Sequence, residues 1–265
     1  MDLFRDLHRL ARADQSARRT ALLALLREMD CPFTLSREHL ADHRPENIVI
    51  RFHEDAPQRV VLGAHYDSVP GSTGANDNGA GVCVLLAWLR GALHHPPPFP
   101  LDVVFFDLEE RGQIGSRAYV ARAACEDLLA MINLDICGVG DTLVVAPSLE
   151  VRDSLVSQPL RRANRLAGCA YRMVDALPAG DNLPFEETGV PTLSVGMLPA
   201  EDVELLLAAI KAGQRRQTPA TMPTIAETFH NGCRDAIETI EASAMQTVLY
   251  WLESLLMQFS NLYGT

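Results

Sequence analysis

The polar residues that could do chemistry fall in four short strings of this 265-residue chain. They are "GAHYDSVPGSTGANDNGAGV" with His65, Asp67 and Asp77, "FFDLEERGQIGS" with Glu109 and Glu110, "INLDICG" with Asp135, and "FHNGCRD" with His230. Two imidazoles and five carboxylates brought to one place would repel strongly unless cations lay among them. Imidazole nitrogen and carboxylate oxygen, with no thiolate, form a ligand set for zinc or a similar divalent ion. The set exceeds the three ligands of a single catalytic site, which points to two metals roughly 3.5–4 Å apart and bridged by a carboxylate. Each residue alone has a plainer reading. A histidine at a strand end is commonly a satisfied polar group, "EE" a solvated turn, and Asp77 between Asn76 and Asn78 a tight turn or helix cap. The joint pattern favours the metal site, because the residues fall in order at corresponding ends of predicted strands.

Those strands are short, β-rich runs, several of them apolar nearly throughout: Asn47 to Phe52, Arg59 to Tyr66, Leu101 to Leu108, Ala130 to Ile136, Thr142 to Ala146 and Pro191 to Gly196. Such runs suit central strands covered on both faces. Helical spacing marks Asp14 to Met29, with Asp14 or Ser16 as cap, then Gly79 to Leu93, Ser116 to Ala124, Ser148 to Leu166, Ala200 to Lys211 and a closing helix from about Asp235 to Phe259. Alternating strands and helices predict a three-layer α/β/α sandwich with a mixed, mostly parallel central sheet. Ligands of open α/β sheets sit outside the carboxyl ends of the strands, where His65, Asp67, Glu109, Glu110 and Asp135 are expected.

Composition narrows the partners. Hydrophobic residues make up 48% of the chain, enough for a full core, and the formal net charge of −11 argues against nucleic acid or an anionic membrane as partner. The first thirty residues scatter charge through every turn and no window approaches a membrane span, so the sequence reads as cytoplasmic. Cys31, Cys83, Cys125, Cys137, Cys169 and Cys233 form no C-x-x-C pair, which argues for reduced, mostly buried thiols. Cys137 and Cys233, although close to Asp135 and His230, read as packing residues. "HHPPPFP" from His94 to Pro100 reads as a stiff loop.

Together the four strings resemble the metal-binding motifs of the co-catalytic di-zinc aminopeptidases, zinc exopeptidases whose relatives include the animal glutaminyl cyclases. The resemblance runs from about Asn47 to the C-terminus. It implies the zinc-exopeptidase (phosphorylase/hydrolase-like) fold, one catalytic domain over residues 1–265, and an N-terminal helical segment, 1–45, packed on it. It further implies two Zn2+, with one ion or another divalent metal as variants. Asp77 would bridge the ions, His65 and Asp135 would complete one site, and Glu110 and His230 the other. Asp67 would hold the His65 imidazole in its tautomer. Glu109 would be the general base toward a metal-bridging hydroxide, then return the proton to the leaving amine. The implied substrate is a peptide or small amino-acid amide whose free α-amine lies near Glu109 and Asp135. Oligomeric state is left open. The string "AGDNLPFEETGVPTLSVG" resembles the family's S-D-H-x-P-F segment, making Asp181 a candidate for the active-site wall, with Asn182 where the family has histidine. Asn76 would lie beside the bridging Asp77. Two departures stand out: Phe229 occupies a position where some members place an oxyanion-supporting tyrosine, and Asp235 comes later than in the usual H-T-x-x-D form, consistent with a simple N-cap of the closing helix.

Three rival readings share some of these features. A glutaminyl cyclase would carry a bridging segment like A-T-D-S-A-V, whereas here asparagines flank Asp77. An aminoacylase-like carboxypeptidase or dipeptidase would have a longer spacing than the twelve residues from His65 to Asp77, and a lid domain that 265 residues hardly contain. A non-catalytic binding relative would have lost ligands, and all five are present.

Overall fold

The computed structural model describes residues 3–263 apart from 55, 57, 124, 167, 220, 230 and 231, and the side chains of these except 125, 262 and 263. Strands β1 (Thr34–Arg37), β2 (Glu46–Phe52), β3 (Arg59–His65), β4 (Leu101–Phe106), β5 (Leu128–Leu134), β6 (Thr142–Pro147), β7 (Tyr171–Met173) and β8 (Thr192–Leu198) form a single sheet in the order β1-β2-β4-β3-β5-β8-β6-β7. The central run β4-β3-β5-β8 is parallel. Antiparallel pairs join β1 to β2, β2 to β4 and β6 to β8, and β7 is parallel to β6. The sheet is therefore mixed and mostly parallel, as expected.

Helices α1 (Leu3–Leu10), α2 (Gln15–Glu28), α3 (Gly81–Ala92), α4 (Ile114–Arg122), α5 (Ser157–Leu166), α6 (Leu183–Glu186), α7 (Asp202–Gln214) and α8 (Ala242–Tyr263) cover it. Every residue of β3 and β4 is buried, which explains why their sequences are apolar without alternation. Their side chains still divide by the strand period of two. Leu62, Val103 and Ile132 join the large core under α1, α2, α3, α5 and α8, while Val61, Val104 and Met131 join a second cluster with Tyr119 of α4 and Phe185 of α6. A third cluster sets Val203 and Leu206 of α7 against Val144 and Leu198.

Several boundaries differ from the sequence reading, each for a local reason. The edge strands β1 and β7 are short, and β7 is exposed at all three residues, so neither carries a hydrophobic period. The long helical pattern at 148–166 breaks into a tight turn, Leu149–Asp153, and α5, which holds Pro159 near its start, where a missing N–H is tolerated. Helix α8 starts at Ala242, not Asp235. Helix α1 had no counterpart among the expected elements. The cap of α2 is Asp14, which accepts the Ala17 N–H at 2.6 Å. Among the described cysteines Cys31, Cys83 and Cys137 are buried and free, while Cys233 is exposed.

At the end of the sheet remote from His65, Asp102 of β4 is fully buried and accepts from Arg51 Nη2 (2.7 Å), Arg59 Nη1 (2.6 Å) and the Tyr119 hydroxyl (2.7 Å). Removing one partner of such a cluster strands the others in a poorly solvated place. Asp102→Ala is expected to lower unfolding free energy by about 3–5 kcal/mol in a denaturant titration, with turnover per folded molecule unchanged.

Candidate metal centre

Strand β3 delivers His65. At Gly63, two residues earlier, a Cβ would come within 2.4 Å of the Phe106 ring, so only glycine lets β3 and that ring pack. His65 pairs with Phe106, and the Tyr66 N–H to Phe106 carbonyl bond (2.9 Å) carries the alignment one residue further. The chain then turns back through Gly74, whose φ of 58° is left-handed and whose Cβ would lie 2.8 Å from the Asp77 carbonyl oxygen. Residues Ala75–Ala80 are all buried, and the Asp77-Asn78 peptide is cis. Asn78 accepts the Gly81 N–H (3.1 Å) at the start of α3 and donates to Leu134 O (2.7 Å) at the end of β5, tying the turn to the next strand.

Asp235 is not the N-cap of the closing helix, which starts seven residues later at Ala242. Its Oδ1 accepts the N–H groups of Asn76 (2.7 Å) and Asp77 (3.3 Å), and its Oδ2 accepts the Ser72 hydroxyl (2.6 Å). It thus holds the backbone that presents Asp77, from 158 residues away. Its sequence spacing alone gave no sign of this.

Glu109 and Glu110 lie past the end of β4, not on it. Leu108 turns the chain with a left-handed φ of 55°, and Glu109–Arg111 form one tight helical turn. The two glutamates therefore diverge by helical rotation, not as neighbours on a strand would. The Asp67 carboxylate accepts both of their N–H groups, Glu109 at 3.0 Å and Glu110 at 3.2 Å. The His65 Nδ1 lies 3.1 Å from the Asp67 main-chain oxygen and 3.4 Å from Oδ1. Asp67 accordingly orients the imidazole chiefly through its carbonyl and spends its side chain on the glutamate turn. Gln113, which no motif singled out, donates to Glu109 Oε1 at 2.9 Å and has its own left-handed φ of 57°. Ile136, directly after Asp135, is left-handed too. Non-glycine residues in this region persist only where surrounding contacts enforce them, and here they flank the acidic cluster.

Ligand-type atoms of His65, Asp77 and Asp135 lie within 4.8 Å of one another, and so do those of His65, Glu109 and Glu110. His65 Nε2 is 3.1 Å from Asp77 Oδ1 and 3.7 Å from Asp135 Oδ1, yet it is buried and aligned in a hydrogen bond with neither. Atoms aimed at a common point and not at each other suit a shared cation, and nitrogen with carboxylate oxygen suits zinc. Burial favours a neutral His65, but Asp135, Asp67 and Asp77 outweigh it and hold the imidazole pKa well above its ordinary value. A divalent ion would take the place of that proton. Burial, reinforced by Asp135 and Asp77 and opposed by His65 and Gln113, lifts Glu109 to about 7. His230 lies outside the described residues.

Asp181 is completely buried. Neither of its oxygens makes an aligned hydrogen bond, although the nearby Ser116 hydroxyl eases its charge, and burial followed by the charge of Glu109 raises its pKa well above the usual carboxylate range. Asn76 is also inaccessible: it donates to Thr228 Oγ1 (2.9 Å) and accepts the Gly138 N–H (2.7 Å), so its side chain ties the Asp77 turn to two other segments and does not border the cavity. Cys137 is packed with its thiol toward the Asp135 carbonyl (3.4 Å). A small cavity of about 20 Å³, room for about one water, borders Asp77, Glu109 and Asp135 and is closed by Ile136, Leu177, Pro178 and Phe229. Two roomier hollows, of about 560 and 730 Å³, lie elsewhere and gather arginines, not these residues.

Comparison with known proteins agrees with this geometry. Residues 47–254 match Peptidase family M28. Aminopeptidase YwaD of Bacillus subtilis (strain 168) is 32% identical over 140 residues, 51% of this chain and 31% of that protein. The Vacuolar membrane protease of Schizosaccharomyces japonicus (strain yFS275 / FY16936) is 30% identical over 136 residues, 51% of this chain and 16% of that protein. The matched part thus spans about a third or less of these curated relatives. No described helix of this chain is long and apolar enough to cross a membrane. Among solved structures, the glutaminyl cyclase of Porphyromonas gingivalis aligns over 97% of both chains (TM-score 0.71, 20% identity). The LapA aminopeptidase of Legionella pneumophila aligns over 98% of this chain and 71% of its own (TM-score 0.73, 14% identity). BSAP, a zinc aminopeptidase from Bacillus subtilis, aligns over 83% and 51% (TM-score 0.65, 24% identity). These likenesses establish the fold, and the family match, which spans most of the sequence and all four motif strings, shows that the chain belongs to peptidase family M28.

Proposed function

We propose that the chain is a zinc-dependent metallo-aminopeptidase that removes N-terminal residues from short peptides. The observation that carries this reading is the convergence of His65, Asp77 and Asp135, and of His65, Glu109 and Glu110, with only Asp135 and Glu110 partly exposed, at the carboxyl ends of parallel strands. In this reading His65, Asp77 and Asp135, together with Glu110 and His230, would hold two zinc ions. Residues 1–265 act as one catalytic unit, with 1–45 packed on it. Zinc bound there would supply Lewis acidity, polarising the scissile carbonyl and acidifying the attacking water.

The remaining steps belong to the protein's own groups. Glu109 borders the cavity and is fixed by Gln113, so its carboxylate is placed to take a proton from the attacking water. As the new carbon–oxygen bond forms and the peptide carbon–nitrogen bond breaks, Glu109 returns that proton to the departing nitrogen. The substrate's free α-ammonium lies among Asp135 and Glu109, whose charges favour a cation over a blocked terminus. Asp67 keeps His65 and the glutamate turn in mutual register through three contacts.

Zinc analysis paired with an aminoacyl-p-nitroanilide panel tests this assignment. The parent is expected to hold about two zincs per chain and to hydrolyse the panel. Glu109→Gln is expected to keep its metal and lose turnover by about 10²–10⁴-fold. A Glu109→Gln protein as active as the parent would overturn the role of Glu109. Acetylating the substrate's α-amine is expected to abolish cleavage, and equal rates on blocked and free peptides would exclude an aminopeptidase.

One observation favours a second reading. The Porphyromonas gingivalis glutaminyl cyclase aligns over 97% of both chains with a TM-score of 0.71. If the chain cyclises, a Gln-initiated peptide will release ammonia with no shortening in a mass spectrum. The aminopeptidase reading expects loss of the first residue.

A further inference from the structure

We propose that Arg18 is a positioning residue for the metal centre: reaching from α2, it clamps from behind the loop that carries Asp67 and Asp77. The inference rests on the metal-centre reading above for its consequence, but not for its geometry. Arg18 is only 1% exposed and lies outside the residues that match the family, 47–254. Its Nε donates to the Tyr66 carbonyl, and its Nη1 donates to the carbonyls of Thr73 (2.7 Å) and Leu10 (3.3 Å). Tyr66 directly precedes Asp67, and Thr73 begins the turn into Asp77, so one rigid guanidinium holds both limbs of the loop.

The loop is shaped around this group. A Cβ on Gly74 would lie 2.7 Å from Arg18 Nη1, and one on Gly79 3.6 Å from Nη2. The guanidinium occupies space that these glycines leave open. Its charge also faces the site, with Asp235, Asp67 and Asp77 around it. Asp235 grips the N–H groups of Asn76 and Asp77, while Arg18 grips carbonyls at the other end of the same loop. A cation on the carbonyls and an anion on the amides satisfy both kinds of backbone group in a segment with no sheet partner. Lysine, with a single ammonium on a flexible stem, lacks the fork that joins two carbonyls at fixed separation.

Arg18→Lys and Arg18→Ala test this directly. In metal-free protein, exchange of the Asn76, Asp77 and Gly79 amides is expected to quicken by about tenfold or more, with core amides such as Val103 and Ile132 unchanged. Cobalt titration followed by visible absorption is expected to show about 10–100-fold weaker binding in both variants. Added guanidinium ion is expected to restore part of the loop protection and cobalt affinity to Arg18→Ala. Unchanged loop exchange, or faster exchange of every amide together without guanidinium rescue, would overturn the proposal. If the parent took up no cobalt, the metal-centre reading would fail, while exchange in metal-free protein would still decide the role of Arg18.

Discussion

Repulsion among buried carboxylates is the constraint around which this structure is arranged. Asp67, Asp77, Glu109 and Asp181 are all nearly inaccessible, Asp135 stands beside them, and His65 is the imidazole at their centre. Such a group of charges is unfavourable in a poorly solvated place unless donors and cations compensate each one. For three of these acids the compensation is visible. Asp67 takes two amides, Glu109 takes the Gln113 amide group, and Asp135 takes the Ile136 N–H. His65 Nε2 is left facing carboxylate oxygens with which it makes no aligned hydrogen bond. That is the feature a divalent ion completes.

The sheet makes the arrangement possible. Parallel strands β3, β4 and β5 release their chains at one end, so the residues just past each strand converge without long connections. The backbone beyond each strand is irregular: a glycine-hinged loop after β3, a left-handed leucine after β4 and a left-handed isoleucine after β5. A regular helix or strand continuing from these ends would carry the acids apart. The irregular backbone is held by contacts from outside it, chiefly Arg18 and Asp235 for the first loop.

The cavity beside the acids accounts for the kind of chemistry that fits. Its boundary joins Asp77, Glu109 and Asp135 to apolar walls from Ile136, Leu177, Pro178 and Phe229. Phe229 has no hydroxyl to support an oxyanion, so in the proposed reaction that support would have to come from elsewhere. Acidic and apolar groups thus meet at one small opening beside His65.

Much of this was legible in the sequence. The strand order of chemistry, from His65 and Asp77 through Glu109 and Glu110 to Asp135, comes from local strings, because hydrophobic runs set where strands end and motif spacing sets which acids stand just beyond those ends. Other features were not. The separation of Glu109 from Glu110 depends on Leu108, whose backbone conformation is atypical for its type, and the edge strands β1 and β7 are too short and too exposed to show a period. In the sequence Asp235 reads as a helix N-cap, and Arg18 falls in the helical run from Asp14 to Met29 with nothing to single it out. Their roles depend on contacts across 159 and 48 residues. The sequence by itself determined the types and order of these acidic and imidazole side chains and the strands that deliver them, because those are properties of short segments. Only the tertiary structure decided what holds the Asp77 loop in place, because hydrogen bonds between residues far apart in the chain exist only once packing has brought their elements together.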